Sequence, residues 1–69
     1  MCEANAYYKN GDEEVLLMEA VDTIELDGED TWQLVGIFGD QKTVSGRIRS
    51  LDLVKEHKIL FEAVPSAAA

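Results

Sequence analysis

Hydrophobic and polar residues alternate along most of this chain, which is the pattern of half-buried β-strands. The first such segment covers residues 2–9. Its even-numbered positions share one face of an extended strand: Cys2, Ala4, Ala6 and Tyr8. Asn10 and Gly11 follow, and this pair favours a type I′ turn, in which both central residues have positive φ. The pattern therefore predicts that the chain begins with a β-hairpin.

The return strand of this hairpin is predicted over residues 13–19. Its run from Val15 to Met18 is apolar on both faces. One face can pack inside the domain, while the other face is a candidate contact surface for a second copy of the chain. A third strand is predicted over residues 20–26, with Ile24 and Leu26 pointing inward.

A fourth strand is predicted over residues 31–38, after a solvated turn at residues 27–30 that contains Asp-Gly. Its expected core residues are Trp32, Leu34 and Ile37. Trp32 is the only tryptophan and is expected to bury the most apolar surface.

Residues 42–53 are too long a segment for one straight strand, and Gly46 in the middle predicts a bend or bulge. Val44 and Ile48 are expected to point inward, and Arg47 and Arg49 outward. A turn at residues 55–57 precedes the last strand, predicted over residues 58–64. Its expected core residues are Phe61 and either Ile59 or Leu60.

Short strands, glycine-marked turns and the lack of a helical period predict an all-β fold. The expected architecture is a small SH3-like or Sm-like barrel of five to six short antiparallel strands. Residues 1–64 are expected to form this single domain, and residues 65–69 a disordered C-terminal tail. Such a barrel leaves an edge strand that can pair with a second copy.

Six basic and fourteen acidic residues give the chain a net charge of −8. A field of this sign repels nucleic acid phosphates and anionic lipids, so neither is an expected partner. Arg47 and Arg49 are expected to pair with carboxylates across the sheet instead. No apolar run approaches the roughly 18–20 residues of a membrane helix. One cysteine and no signal peptide predict the reducing cytoplasm.

Catalytic motifs are absent from the sequence, so the chain is not expected to be an enzyme. Its acidic residues are spread over turns and outward faces rather than paired in an apolar pocket. His57, the only histidine, could donate an imidazole nitrogen to a metal. Its charged neighbours favour the alternative, an exposed turn residue.

Cys2 is the candidate metal ligand. Removal of Met1 would leave an α-amine and a thiol on the same residue, which can form a five-membered chelate ring. These groups titrate at about 7.7–8.0 and about 8.5, so a metal can displace both protons near neutral pH. One thiolate is too few for a closed site, but two Cys2 residues related by a two-fold axis would supply two sulfurs and two nitrogens. The alternative is that Cys2 is a passive apolar residue.

Several stretches closely resemble, in the same order, the CooT family of small nickel-binding proteins. They are residues 1–7 (Met-Cys-Glu-Ala-Asn-Ala-Tyr), 13–21, 37–48, 51–54 and 57–62. The resemblance implies a small β-barrel homodimer that binds Ni(II) through Cys2 of each chain. It also implies an accessory role in supplying nickel to carbon monoxide dehydrogenase.

Two features depart from the family pattern. The turn at residues 55–57 is longer, so no family role is transferred to His57, and the alanine-rich tail is not part of the pattern. The sequence therefore predicts a non-enzymatic nickel carrier with Cys2 as its ligand. The alternative function is a β-barrel protein-interaction module in which Cys2 is incidental.

Overall fold

The computed structural model describes residues 3–64, and within this range the chain forms six β-strands and no helix. The strands are β1 (Ala4–Asn10), β2 (Glu13–Leu26), β3 (Thr31–Gly36), β4 (Gln41–Ser45), β5 (Arg47–Asp52) and β6 (Lys58–Glu62). The predicted all-β class is confirmed for these residues. Cys2 and the tail at residues 65–69 lie outside the described range. Over residues 3–64 there is also no helix of the length and apolar character that crossing a membrane requires.

The six strands form one sheet in the order β4-β3-β2-β1-β6-β5. Its outermost strands, β4 and β5, are separated in sequence by Gly46 alone, so the sheet must curl to bring its edges together. Gly46 is fixed at this corner, since its N–H donates to the Asp30 carbonyl (2.8 Å) and its own carbonyl accepts from Trp32 Nε1 (2.9 Å). The result is a barrel-like sheet that is not closed, with the bend at the glycine that the sequence predicted.

Strand β2 is a single bent strand of 14 residues, whereas the sequence predicted separate strands over 13–19 and 20–26. Its first part pairs with β1 and its second part with β3. The bend lies at Ala20, which has a left-handed backbone (φ 52°) next to register shifts in both pairings. The sequence has no turn-forming residue at Ala20, and the chain bends there without leaving the strand.

Strands β1 and β6 pair in parallel, from Asn5 opposite Lys58 to Lys9 opposite Glu62. The expectation of purely antiparallel strands is wrong at this pairing. Strand β2 is one continuous strand and Gly46 joins β4 to β5 without a hairpin, so the chain reverses four times between β1 and β6, an even number. Strand β6 therefore returns beside β1 in the same direction, and β1 is bonded along both edges.

The β1–β2 hairpin has a two-residue turn formed by Gly11 and Asp12, because Asn10 pairs with Glu13. Of the two turn residues, only Gly11 has positive φ (68°). Glycine at the first central position is typical of a type II′ turn. The predicted hairpin is correct, but the predicted type I′ turn at Asn10 and Gly11 is wrong by one residue.

The core contains most of the predicted residues. Leu34 and Phe61 are fully buried, and the Trp32 ring packs edge-on against Phe61 with ring centroids 6.0 Å apart. Trp32 is partly buried and packs against this core. Other buried or partly buried predictions are Ala4, Ala6, Tyr8, Ile24, Val44, Ile48, Ile59 and Leu60.

Two predicted core residues are exposed. Ile37 is 49% exposed because β3 ends at Gly36, which places Ile37 in the following turn. Leu26 is 62% exposed; it shares the inner face with Ile24 but is the last residue of β2. In the apolar run of β2, Met18 is buried, whereas Val15 and Leu16 are both exposed, with a register shift in the β1 pairing between Leu16 and Met18.

Candidate functional site

The candidate site is the end of the barrel where β1 begins, here called the entry end. Cys2, the predicted metal ligand, lies outside the described residues and is joined to β1 through Glu3. Hydrogen bonds place three other features beside the first residues of β1: the bend at Ala20, the β3–β4 turn at residues 37–40 and the β5–β6 loop at residues 53–57. These features define the surroundings of the strand that carries Cys2.

The start of β1 is held from both sides through Asn5. Its backbone N–H donates to the His57 carbonyl (2.9 Å), and its side-chain Oδ1 accepts from the backbone N–H of Ala20 (3.0 Å). His57 is half-buried with a left-handed backbone (φ 53°), so it is less exposed than the sequence suggested. The first residues of β1 are therefore anchored to both neighbouring elements.

The β5–β6 loop is ordered by Asp52, whose Oδ1 accepts the backbone N–H groups of Lys55 (3.0 Å) and Val54 (3.2 Å). These bonds, that of Lys55 foremost, hold the pKa of the Asp52 carboxyl below its usual value. The ordered loop presents Leu53 and Val54 to solvent, and the Val54 side chain is 84% exposed.

The entry end is unusually apolar for an exposed surface. A groove of about 370 Å³ opens beside Ala4 and is lined by Val21, Asp22, Ile24, Leu51, Leu53 and Ile59. Within residues 3–64, nine large apolar side chains are exposed, and five belong to this end: Ile37, Phe38, Leu51, Leu53 and Val54. Exposed apolar surface that is concentrated in this way marks a contact surface for another molecule.

Over the described part of the chain, no group of three or more His, Cys, Asp or Glu residues is placed to hold a metal ion. His57 contributes its backbone carbonyl to β1 and belongs to no such group. Metal binding at the entry end would therefore depend on Cys2 and the donors that accompany it.

Both predicted outward arginines pair with a carboxylate across the sheet. Arg47 Nε donates to Glu62 Oε2 (2.7 Å), and Arg49 Nη1 donates to Glu62 Oε1 (3.1 Å). The Arg47 bond is the main cause of a pKa below the usual value for Glu62. On the same sheet, Lys58 donates to Glu14 and lies 5.3 Å from the centre of the Tyr7 ring. The Glu14 bond raises the pKa of Lys58.

The sequence predicted a tight turn at Gly39 and Asp40 but placed Phe38 in the preceding strand, so the exposure of Phe38 was not predicted. Phe38 at the tip of the β3–β4 turn is 87% exposed, more than any other large apolar side chain among residues 3–64. Strand-like alternation had extended β3 to residue 38. The turn signal that was available is Gly39, whose φ of 91° ends the strand pattern.

The barrel-like sheet and its apolar entry end define a small acidic all-β protein with an exposed apolar contact surface. The family model described as "CO dehydrogenase accessory protein CooT" matches residues 1–62, and the chain belongs to this family. The range that matches includes Cys2 and all six strands.

A crystal structure assigned to CooT from Carboxydothermus hydrogenoformans is similar to this chain. The two share 42% sequence identity and a TM-score of 0.80, over 90% of this chain and 97% of that one. At this identity the likeness covers sequence as well as fold. No curated protein sequence shows a significant match.

Proposed function

We propose that this chain is a cytoplasmic accessory protein that binds Ni(II) and passes it to a nickel enzyme, with carbon monoxide dehydrogenase as the client. Family membership over residues 1–62 supports the accessory role, since the family description names that enzyme. The observation that carries the proposal is the position of Cys2 in the sequence, two residues before the anchored strand β1, which starts at the apolar entry end. Nickel is then cargo, and no catalytic step is required of this chain.

We propose that one Ni(II) is shared by a homodimer through Cys2 of each chain. A single thiolate is too few for a closed site, and a second copy supplies another. The exposed Leu53 and Val54 offer apolar surface for this contact next to the start of β1.

The donors near Cys2 favour nickel over zinc in this proposal. Two thiolates with terminal amines or deprotonated backbone amides would form a near-planar set of nitrogen and sulfur donors. Ni(II) and Cu(II) accept this geometry, whereas structural Zn(II) is tetrahedral. Cu(II) would bind at least as tightly, so selectivity in the cell would depend on which metal is available. A site on a chain terminus also allows a client to take the metal by ligand exchange.

Nickel titration of the wild type and of Cys2→Ser tests the proposal. The readout is the sulfur-to-nickel charge-transfer absorbance of protein purified without a histidine tag, with intact mass to show whether Met1 is present. The expected result is one nickel per dimer in the wild type and loss of binding in Cys2→Ser, with the circular dichroism spectrum unchanged. His57→Asn serves as the control and should keep the wild-type stoichiometry. Unchanged nickel affinity in Cys2→Ser would rule out the site.

A second candidate function is a protein-interaction module in which Cys2 is incidental. The exposed apolar side chains of the entry end, Phe38 and Val54 above all, favour it. This function predicts a tight dimer whose mass by light scattering is the same with and without nickel. It also predicts no bound nickel after purification, which separates it from the carrier.

A further inference from the structure

The β3–β4 turn presents an aromatic side chain for which the described fold has no structural use. Phe38 lies at the tip and is 87% exposed, and Ile37 before it is 49% exposed. The core of the barrel is complete without them, since Leu34 and Phe61 already fill it. A large exposed aromatic residue is the type of side chain that anchors protein interfaces.

The turn is rigid, which makes Phe38 a prepared contact rather than a loose end. The Gly36 N–H donates to the Asp40 carbonyl (2.8 Å), and the Gly39 N–H donates to the Gly36 carbonyl (2.9 Å). A third bond, from the Ile37 N–H to the Ala20 carbonyl (2.9 Å), ties the turn to the bend of β2. A contact residue held in place before binding loses little conformational freedom when it binds.

Carboxylates border this turn. Asp40 stands at its base, with its carboxylate packed against Gly36, where a methyl group would overlap it. Glu19 and Asp22 are exposed and flank Ala20, to which the turn is bonded. The nearest basic side chain along β4, that of Lys42, donates to the Leu17 carbonyl (3.2 Å). The apolar tip therefore has an acidic border.

A second copy of this chain does not suit this surface. Two grooves formed by the described residues carry carboxylates, Asp22 in one, Glu29 and Asp30 in the other. Inserting Phe38 into either would bring like charges together, which is unfavourable in an interface. The complementary surface is an apolar pocket bordered by lysine or arginine residues.

We infer that Phe38 docks into an apolar pocket with a basic border on the client enzyme, and that Glu19 and Asp22 pair with that border. This inference rests on the proposed function only for the identity of the client. It assigns docking to the β3–β4 turn and metal binding to Cys2, so the two roles can be separated by mutation. The salt dependence of binding should reflect the charged border.

Isothermal titration calorimetry with purified, nickel-free carbon monoxide dehydrogenase from the same organism tests the inference. Phe38→Ala should weaken binding at least tenfold, and the pair Glu19→Gln with Asp22→Asn should weaken it and reduce its salt dependence. The matched control is Leu26→Ala, which removes another exposed apolar side chain from the end of β2 that pairs with Trp32. Cys2→Ser should dock like the wild type.

Three results would overturn the inference. Wild-type affinity of Phe38→Ala would refute the turn as the docking site while leaving the client in place. Dissociation of the homodimer by Phe38→Ala would assign this surface to a second copy instead. No binding of the enzyme by the wild type would remove both this inference and the client, whereas nickel titration of Cys2→Ser would still decide the metal site.

Discussion

The side-chain oxygen of Asn5 accepts the backbone N–H of Ala20 at 3.0 Å, across fifteen positions of sequence. Ala20 is the residue at which β2 bends, with a left-handed backbone that alanine rarely adopts. The carbonyl of Ala20 in turn accepts the N–H of Ile37. One side chain at the start of β1 therefore supports both the bend of β2 and the turn that carries Phe38.

Substitution of Asn5 should show directly how much its hydrogen bond to Ala20 stabilises the bend of β2. Asn5→Ala leaves the part-buried N–H of Ala20 without its partner, which should cost about 1–3 kcal/mol of the free energy of unfolding. Urea denaturation followed by circular dichroism measures the loss. Asn5→Asp keeps an acceptor oxygen at the same position and should lose less. Equal stability of all three proteins would show that this hydrogen bond does not support the bend.

Gly46 should tolerate no side chain. Its φ of 142° is rare for residues with a Cβ, and a methyl group there would overlap the Glu62 carbonyl oxygen. Gly46→Ala should therefore destabilise the protein by about 3 kcal/mol or more. Gly11→Ala is the matched control, because its φ of 68° is unfavourable but no atom lies within 4 Å of the added methyl group. It should cost about 1–2 kcal/mol. Similar losses of stability in Gly46→Ala and Gly11→Ala would refute the argument that the added methyl group overlaps the Glu62 carbonyl oxygen.

Replacing each of the two phenylalanines by alanine should have very different effects on the stability of the protein. Phe61 is fully buried, so Phe61→Ala should cost about 3–5 kcal/mol. A chain of 69 residues has a total stability of about 3–10 kcal/mol, so this variant should be largely unfolded at moderate temperature. Phe38→Ala should change stability by less than about 0.5 kcal/mol. Thermal melts compare the two, and a large loss in Phe38→Ala would mean that its exposure is misassigned.

Protonation of Glu62 at low pH should contribute to a loss of folding stability. Its pKa is lower in the folded protein than in the unfolded chain, because Arg47 and Arg49 donate to the carboxylate. The folded state then binds fewer protons, so this contribution is present above the unfolded pKa of about 4.3 and is lost as pH falls through the folded pKa. Glu62→Gln should lower the melting temperature at pH 7, and the difference from wild type should shrink below about pH 4.3.

The control for this pH series is Glu25→Gln, which removes one negative charge from an exposed position of β2. It should not reproduce the pH-dependent difference of Glu62→Gln. A gap between wild type and Glu62→Gln that widens on acidification would show that the arginine pair does not stabilise the fold in the charged form.

A charged side chain introduced into the β5–β6 loop should dissociate the proposed dimer. Val54→Lys places a cation on the exposed apolar loop beside the start of β1, and the proposed contact would bury it. Light scattering should show a monomer, and nickel binding should weaken because each chain then has one thiolate. Leu26→Lys, at another exposed apolar position, should remain dimeric. Tight nickel binding by a monomeric Val54→Lys would contradict a shared site.

The local pattern of hydrophobic and polar residues was sufficient to predict much of the fold. Alternation located all six strand regions, and Gly46 marked the bend between β4 and β5 because a glycine inside a strand pattern is typical of a bulge or a tight bend. The partners of Arg47 and Arg49 also followed from the sequence, since outward charges on neighbouring strands pair when they face each other.

Other features depend on contacts that a local pattern does not contain. The left-handed Ala20 is supported by Asn5, a residue of another strand, and no turn residue announces it. The parallel pairing of β1 with β6 depends on β2 being one continuous strand, so it was missed when two strands were predicted there. Ile37 alternates correctly, but the strand ends one residue earlier. The role of Cys2 came from its chemistry and the family resemblance, and it stays a prediction.

Because β6 runs in the same direction as β1, the last strand finishes beside Lys9, at the opposite end of the barrel from Glu3. Seven residues of extended strand separate these two levels, roughly 20 Å. A biotin or fluorophore attached at residue 64 would thus lie at the opposite end of the barrel from Glu3. Immobilised through that attachment, the molecule would present its first residues to the solution, in the orientation needed for observing metal exchange on a sensor surface.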